Sequence, residues 1–154
     1  MKNCAVILAG GEGKRMKSDK PKTLSEVLGK PMLCWVMSAL RKAGIDDICV
    51  VKGFKKECIE EYLSTLDFSV ESVFQAERLG TGHAVMTAKD FLKKHSGNVV
   101  ILNGDAPFMD SKTIEDSLKA HIENDCAATV ISAKVDDCLL YTSPSPRDTR
   151  SSRM

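Results

Sequence analysis

Short apolar runs alternate with helix-length amphipathic segments along this chain, and that alternation admits few folds. Asn3–Leu8 reads as a strand, Asp47–Lys52 as a second with a continuous apolar run, and Phe68–Gln75 as an alternating strand with a polar end. Asn98–Asn103 reads as a fourth strand and Cys126–Val135 as the last, whereas Leu24–Val27 is at most a short extended piece. Between them, Pro31 offers a first helical position, and Met32, Leu33, Val36, Met37 and Leu40 form an apolar stripe to about Ala43, where Gly44 stops it. Lys55–Thr65 places Ile59, Tyr62, Leu63 and Leu66 on one side, and Thr81–His95 is also expected to be helical. Ser111 is expected to cap a helix reaching about Asn124, with Glu115 near a capping-box position. Apolar strands joined by amphipathic helices imply an α/β fold, a mostly parallel sheet with helices on both faces.

Ligands of such sheets bind beyond the carboxyl ends of the strands, and the unusual residues cluster there. After the first strand comes Leu8-Ala9-Gly10-Gly11-Glu12-Gly13-Lys14-Arg15-Met16, a loop nearly free of side-chain bulk that ends in cations. Glycines let backbone N–H groups turn inward and approach a polyphosphate closely. Lys14 and the planar fork of Arg15 fall where phosphate charge would lie. A nucleoside triphosphate is the expected ligand; a tight strand-to-loop connection is the plainer account of the same glycines. Spacing excludes two commoner phosphate loops. The Walker pattern needs a glycine where Gly13-Lys14 has Leu8 and Gly29-Lys30 has Leu24. The dinucleotide fingerprint, started at Gly11, meets Met16 in place of its third glycine.

Pro21 holds Lys22 stiffly downstream of this loop, where it could meet the same phosphates from another side; a solvated lysine is the alternative. The segment Gln75–Ala84 joins a strand to a helix. Gln75 offers an amide donor and acceptor suited to a pyrimidine edge. Gly80 and Gly82 leave room for a flat ring, and Thr81 either caps the helix alone or also exposes a hydroxyl to the ligand. His83 reads as a packed helix residue. Asn103-Gly104-Asp105 puts a carboxylate at the carboxyl end of a central strand, where a magnesium ion would bridge protein and phosphates. A simple turn before Ala106-Pro107 is the competing account. Asp46-Asp47 reads as solvated, and Glu57, Glu60 and Glu61 as a polar helix face.

A chain of 154 residues suits one α/β domain or part of a larger one. Its net charge of +1 suggests neither a nucleic-acid nor a membrane partner, and no stretch approaches membrane-spanning length. The six cysteines (Cys4, Cys34, Cys49, Cys58, Cys126, Cys138) form no C-x-x-C pair. Packed, reduced thiols in a cytoplasmic protein are therefore expected. From about Cys138 periodicity gives way to a Ser-, Pro- and Arg-rich string whose charge of +2, taken from the total of +1, leaves −1 for residues 1–137. A partial domain over 1–137 followed by a non-native or disordered tail over 138–154 is expected, with a basic arm for an anionic partner as the alternative.

Together these motifs resemble the sugar-phosphate nucleotidyltransferases. They are most similar to the N-terminal uridylyltransferase domain of the bacterial bifunctional UDP-N-acetylglucosamine pyrophosphorylase/glucosamine-1-phosphate N-acetyltransferase family. The likeness runs from Asn3 to about Asp137. It rests on Leu8-Ala9-Gly10-Gly11-x-Gly13-x-Arg15-Met16, Pro21-Lys22, Gln75-Ala76-Glu77, Leu79-Gly80-Thr81-Gly82-His83-Ala84 and Gly104-Asp105-x-Pro107. UTP–glucose-1-phosphate uridylyltransferases carry a similar Gly-x-Gly-His-Ala and are the nearest rival. The resemblance implies a Rossmann-like, GT-A-like nucleotidyltransferase fold, incomplete on its C-terminal side. It implies UTP and a sugar 1-phosphate as substrates, UDP-N-acetylglucosamine and pyrophosphate as products, and a role in cell-envelope precursor synthesis.

By the same resemblance, the loop of Leu8, Ala9, Gly10, Gly11 and Gly13 holds the UTP phosphates with Arg15 and Lys22, the two catalytic cations. Gln75, Gly80 and Thr81 take the uracil, Asn103 and Gly104 border the nucleotide, and Asp105 holds Mg2+. Where the family continues with Gly-Tyr-Gly-Arg after Asp136-Asp137, this chain has Cys138-Leu139-Leu140-Tyr141. The family's remaining sugar-binding groups, second magnesium ligand and acetyltransferase domain, through which a parent protein would form homotrimers, have no counterpart here. The 154-residue chain by itself is accordingly expected to bind nucleotide weakly, without turnover.

Overall fold

The computed structural model describes residues 2–11, 20–77 and 79–132. Strand β1 (Cys4–Ala9) leads to a 3-10 turn at Lys22–Leu24, a small hairpin of β2 (Glu26–Val27) and β3 (Lys30–Pro31), and helix α1 (Met32–Lys42). Then follow β4 (Asp47–Lys52), α2 (Lys56–Ser64), β5 (Glu71–Phe74), α3 (Thr81–Thr87), α4 (Lys89–Leu92), β6 (Val99–Asn103) and α5 (Ser111–Glu123). Four strands form a parallel sheet in the order β5-β4-β1-β6.

Strand β1 is central. Cys4 lies opposite both Asp47 and Val99, and Leu8 opposite both Val51 and Asn103. A strand paired on both edges and covered on both faces needs an unbroken apolar run, and Cys4 to Ile7 are fully buried. On one face Ala5, Ile7, Ile48, Val50 and Leu102 pack on the stripe Leu33, Val36, Met37 and Leu40 of α1, with Ile59 of α2 and Ile114 of α5. On the other, Cys4, Val6, Cys49 and Val51 meet Ala84 of α3, Phe91 of α4 and Ala88 between the two helices. The two connections that step from β1 to β4 to β5 thus cover one face and the connection that returns from β5 to β6 covers the other, as right-handed crossovers require.

Several local expectations are corrected. Pro31 is the cap residue of α1 rather than its first helical position, with extended backbone (ψ 142°). The cap of α5 is Asp110, whose carboxylate accepts from Thr113 N–H at 2.7 Å; Ser111 is already helical. That bond holds the Asp110 carboxyl below the usual carboxylate range. The expected Thr81–His95 helix is interrupted at Ala88, whose N–H bonds the carbonyl of Val85 three residues back. The expected strand at Phe68–Gln75 is reduced to Glu71–Phe74. At Cys126–Val135, residues 126–132 form no strand; the remainder lies outside the described residues. This segment instead borders a groove of about 700 Å³ along the outer edge of β6, beside Ile101, Leu102, Ile114 and Leu118. An apolar run becomes a strand only when a ladder partner is present, and here Val130 stays 86% exposed.

Lys52 and Glu60 also depart from expectation. Lys52, 8% exposed, pairs with Glu60 Oε1 at 2.5 Å and donates to Ser72 Oγ at 2.9 Å. Glu60 is thus the counter-ion of a buried strand lysine rather than part of a purely solvated face. Asp47, likewise expected to be solvated, takes Lys2 at 2.9 Å and His95 at 3.5 Å, and the Lys2 bond foremost lowers its pKa.

Ile7→Ala is expected to cost about 2–5 kcal/mol, read from the urea midpoint. A loss under about 1 kcal/mol would remove Ile7 from the core. Burial pushes the Cys49 thiol up to about 11 and raises that of Cys4. Iodoacetamide at pH 8 is therefore expected to label Cys4 and Cys49 only after unfolding, and rapid labelling of either in the folded chain would contradict this packing.

Candidate active site at the carboxyl edge of the sheet

Every strand of the parallel sheet ends at the same edge, and the order β5-β4-β1-β6 sets the point where ligands enter. The chain steps from β1 to β4 to β5 in one direction, then returns to place β6 on the other side of β1. The strand order reverses between β1 and β6, so the carboxyl ends of these two neighbouring strands lie side by side at the position where ligands of parallel sheets are bound. Gly10 and Gly11 stand at the end of β1, and Gly104 and Asp105 just beyond β6.

Backbone packs on backbone here. A Cβ on Gly53 would lie 2.7 Å from the carbonyl oxygen of Gly10 and 2.8 Å from its Cα, so the ends of β1 and β4 touch without side chains. Phe54 N–H donates to the same Gly10 carbonyl at 3.2 Å. Gly104 is equally enclosed: a Cβ there would meet Thr23 Cγ2 at 2.9 Å, and its N–H donates to Leu8 O at 2.9 Å.

That enclosure brings the 3-10 turn against the end of β6. Lys22 Nζ donates to Asp105 Oδ2 at 2.6 Å, joining residues 83 apart in sequence. The side chains are 41% and 35% exposed, so the pair faces solvent and is worth only about 0–1 kcal/mol. The expected phosphate cation and the expected metal carboxylate thus neutralise one another at little cost to separate. Thr23, beside Lys22, is 5% exposed, and its Oγ1 has no hydrogen-bond partner among the described residues.

A second cluster lies after β5. Gln75 is 6% exposed, anchored by its N–H to the carbonyl of Lys52 at 2.9 Å. Its side-chain Nε2 stands 3.4 Å from the carbonyl oxygen of Gly80 and 3.1 Å from His83 Nδ1. Its Oε1 points toward Gly10, 3.1 Å from where a Cβ would be. Gly10 is therefore the residue that lets the β5 loop close on the β1 loop.

The structure brings Gly10, Lys22, Gln75, Gly104 and Asp105 to one edge. Leu8 and Ala9 lie within β1, Ala9 being 1% exposed, so both support the loop from below. Gly11 and Asn103 are exposed at that edge. Gly13, Lys14 and Arg15 lie outside the described residues. Thr81 is not the cap of α3: Gly80 occupies that position at φ +101°, and Thr81 is exposed in the first turn. Sequence reasoning missed Gly53, whose place directly after Asp47–Lys52 was the available signal, and missed the contact of His83 with Gln75. Among the described residues no group of three or more His, Cys, Asp or Glu could hold a metal by itself, and Asp105 stands as a single carboxylate. No helix among them is long and apolar enough to cross a membrane.

Known proteins agree with this geometry. The bifunctional protein GlmU of Clostridium beijerinckii is 49% identical over 137 residues, which are 89% of this chain and 30% of that protein. Its counterpart from Acetivibrio thermocellus is 45% identical over 133 residues, 86% of this chain and 28% of that protein. The chain thus spans under a third of the length of these curated relatives. A solved UDP-glucose pyrophosphorylase from Acinetobacter baumannii superposes with a TM-score of 0.68 at 24% identity, covering 81% of this chain and 54% of that one. A UDP-glucose pyrophosphorylase complexed with UDP-glucose gives 0.68 at 19% identity, covering 82% and 55%. These superpositions establish a nucleotidyltransferase-type fold built on a mostly parallel sheet. The profile of the MobA-like NTP transferase domain matches residues 5–151, and the chain belongs to that family.

Proposed function

We propose that this chain forms the nucleotide-binding part of a uridylyltransferase that moves UMP from UTP to N-acetylglucosamine 1-phosphate, giving UDP-N-acetylglucosamine and pyrophosphate for cell-envelope precursors. The observation that carries this reading is the Lys22–Asp105 pair at the chain reversal between β1 and β6. A cation and a carboxylate held 2.6 Å apart in solvent form a pair that UTP can divide, the cation going to phosphate and the carboxylate to phosphate-bound magnesium. The glycine loop supports it with backbone donors, and Gln75 with an amide at the base end. The resemblance carried by Leu79–Ala84, together with relatives named GlmU at 45–49% identity, favours N-acetylglucosamine 1-phosphate; the UDP-glucose pyrophosphorylases at 24% identity and below share the fold.

In the transfer, an oxygen of the sugar phosphate attacks the α-phosphorus in line, and the bond to the pyrophosphate oxygen breaks. This chain's residues position and neutralise rather than react covalently. Lys22, together with Arg15 as the resemblance implies, offsets charge building on the leaving pyrophosphate. Asp105 would hold Mg2+ together with phosphate oxygens, and the ion would supply further neutralisation of the triphosphate. One carboxylate suits that ion, which keeps water and substrate phosphates as ligands rather than entering an all-protein cage. Residues 138–154 are proposed to lie outside the domain, and their deletion is expected to leave UTP affinity unchanged.

Calorimetry on the 154-residue chain is expected to give magnesium-dependent heat with UTP. Lys22→Ala should weaken that binding about ten- to a hundredfold, the worth of a charge-assisted contact. Asp105→Asn should abolish its dependence on magnesium while leaving the melting temperature within a few degrees, because the ion pair that it breaks is solvated. Unchanged UTP affinity in both variants would sink the assignment. For the reaction, residues 1–137 joined to the part of the Clostridium beijerinckii relative that follows the matched region should release pyrophosphate only when a hexosamine 1-phosphate is added. A folded, UTP-binding chimera that prefers glucose 1-phosphate would turn the reading to the UDP-glucose type.

A further inference from the structure

We infer that His83 is a positioning residue that sets nucleobase choice by fixing the orientation of the Gln75 amide. This rests on the uridylyl reading above and adds to it how a uracil is told from a cytosine. A carboxamide can present either its oxygen or its nitrogen, and an unconstrained Gln serves both bases equally. Gln75 is not unconstrained. Its Nε2 lies 3.4 Å from the carbonyl oxygen of Gly80, an acceptor that admits no exchange of roles, and 3.1 Å from His83 Nδ1. Turning the amide over would set two carbonyl oxygens against each other at a residue only 6% exposed. With Nε2 donating, the ring nitrogen Nδ1 must accept, so the His83 proton sits on Nε2.

Both amide N–H groups of Gln75 are then committed to Gly80 and His83, and Oε1 is the part left to meet a base. It points toward Gly10, on the side of the glycine loop. An acceptor fixed in that place takes the N3–H of uracil and opposes the bare N3 of cytosine. A site built to accept a hydrogen bond rejects an analogue that lacks the donor, because the buried acceptor goes unmet. Gly80 alone is the weaker of the two restraints by distance, so removal of the His83 ring frees the amide to turn.

The test measures UTP and CTP dissociation constants, each with magnesium, for the 154-residue chain and its variants, with circular dichroism to verify folding. The unaltered chain is expected to prefer UTP by about tenfold or more, the size of one buried acceptor met or unmet. His83→Ala should bring the two within about twofold of each other, mainly through tighter CTP binding. His83→Asn, which returns an oxygen acceptor near the position of Nδ1, should restore the preference for UTP. A structural role for the ring would weaken both nucleotides together and leave their ratio intact. A ratio preserved in His83→Ala, or lost in a folded His83→Asn, overturns this inference while the uridylyl reading stands. Failure of the unaltered chain to bind UTP overturns both.

Discussion

Everything at the candidate site depends on the burial of β1 between β4 and β6. The ladder that sets Leu8 opposite Val51 and Asn103 brings three strand ends level, within one residue's rise of each other. Backbone contact between Gly53 and Gly10, and the enclosure of Gly104 by Thr23 and Leu8, then remove the side-chain bulk that would hold the loops apart. Main-chain groups from three loops are thereby brought to one edge. Parallel strands cannot be joined tightly, so each loop is followed by a helix that covers a face of the sheet, and the glycines are left at the strand ends.

Charge at the edge is arranged to be available rather than to stabilise. Lys52 and Lys22 illustrate the difference. Lys52 is 8% exposed, with Glu60 and Ser72 as partners, and it serves to tie α2 and β5 to β4. Lys22 meets Asp105 in solvent, where the pair contributes little and separates readily. A buried ion pair loses much when one partner is taken away; a solvated one can exchange partners for a triphosphate and its counter-ion. Function is therefore expected of the second pair and structure of the first, although both join a lysine to a carboxylate.

At the proposed base end, specificity would reduce to where two protons are committed. Gln75 is buried and tied by its backbone to Lys52, and Gly80 and His83 take its amide hydrogens, so its oxygen is turned toward Gly10. On the proposed reading the loop that would meet the base also closes on the glycine loop, so one glycine would link recognition of the nucleotide's two ends.

The sequence by itself determined the elements whose signal is local. Asp47–Lys52 matches its expected bounds because burial on both faces demands a continuous apolar run, and α1 follows its apolar stripe to the Gly44 stop. The placement of Gly10, Lys22, Gln75 and Asp105 after strand ends was also legible, since a parallel α/β pattern fixes which end of each strand carries the loops. Only tertiary structure decided the rest. Residues 126–132 carry strand-like composition but find no ladder partner, and the Ala88 interruption reflects packing of α3 and α4 on the sheet. The contacts Lys22–Asp105, Lys52–Glu60, Gly10–Gly53 and Gln75–His83 join residues whose proximity follows from strand order and loop closure. Periodicity reports which face of an element is apolar; it carries no information about which distant side chain will complete a hydrogen bond.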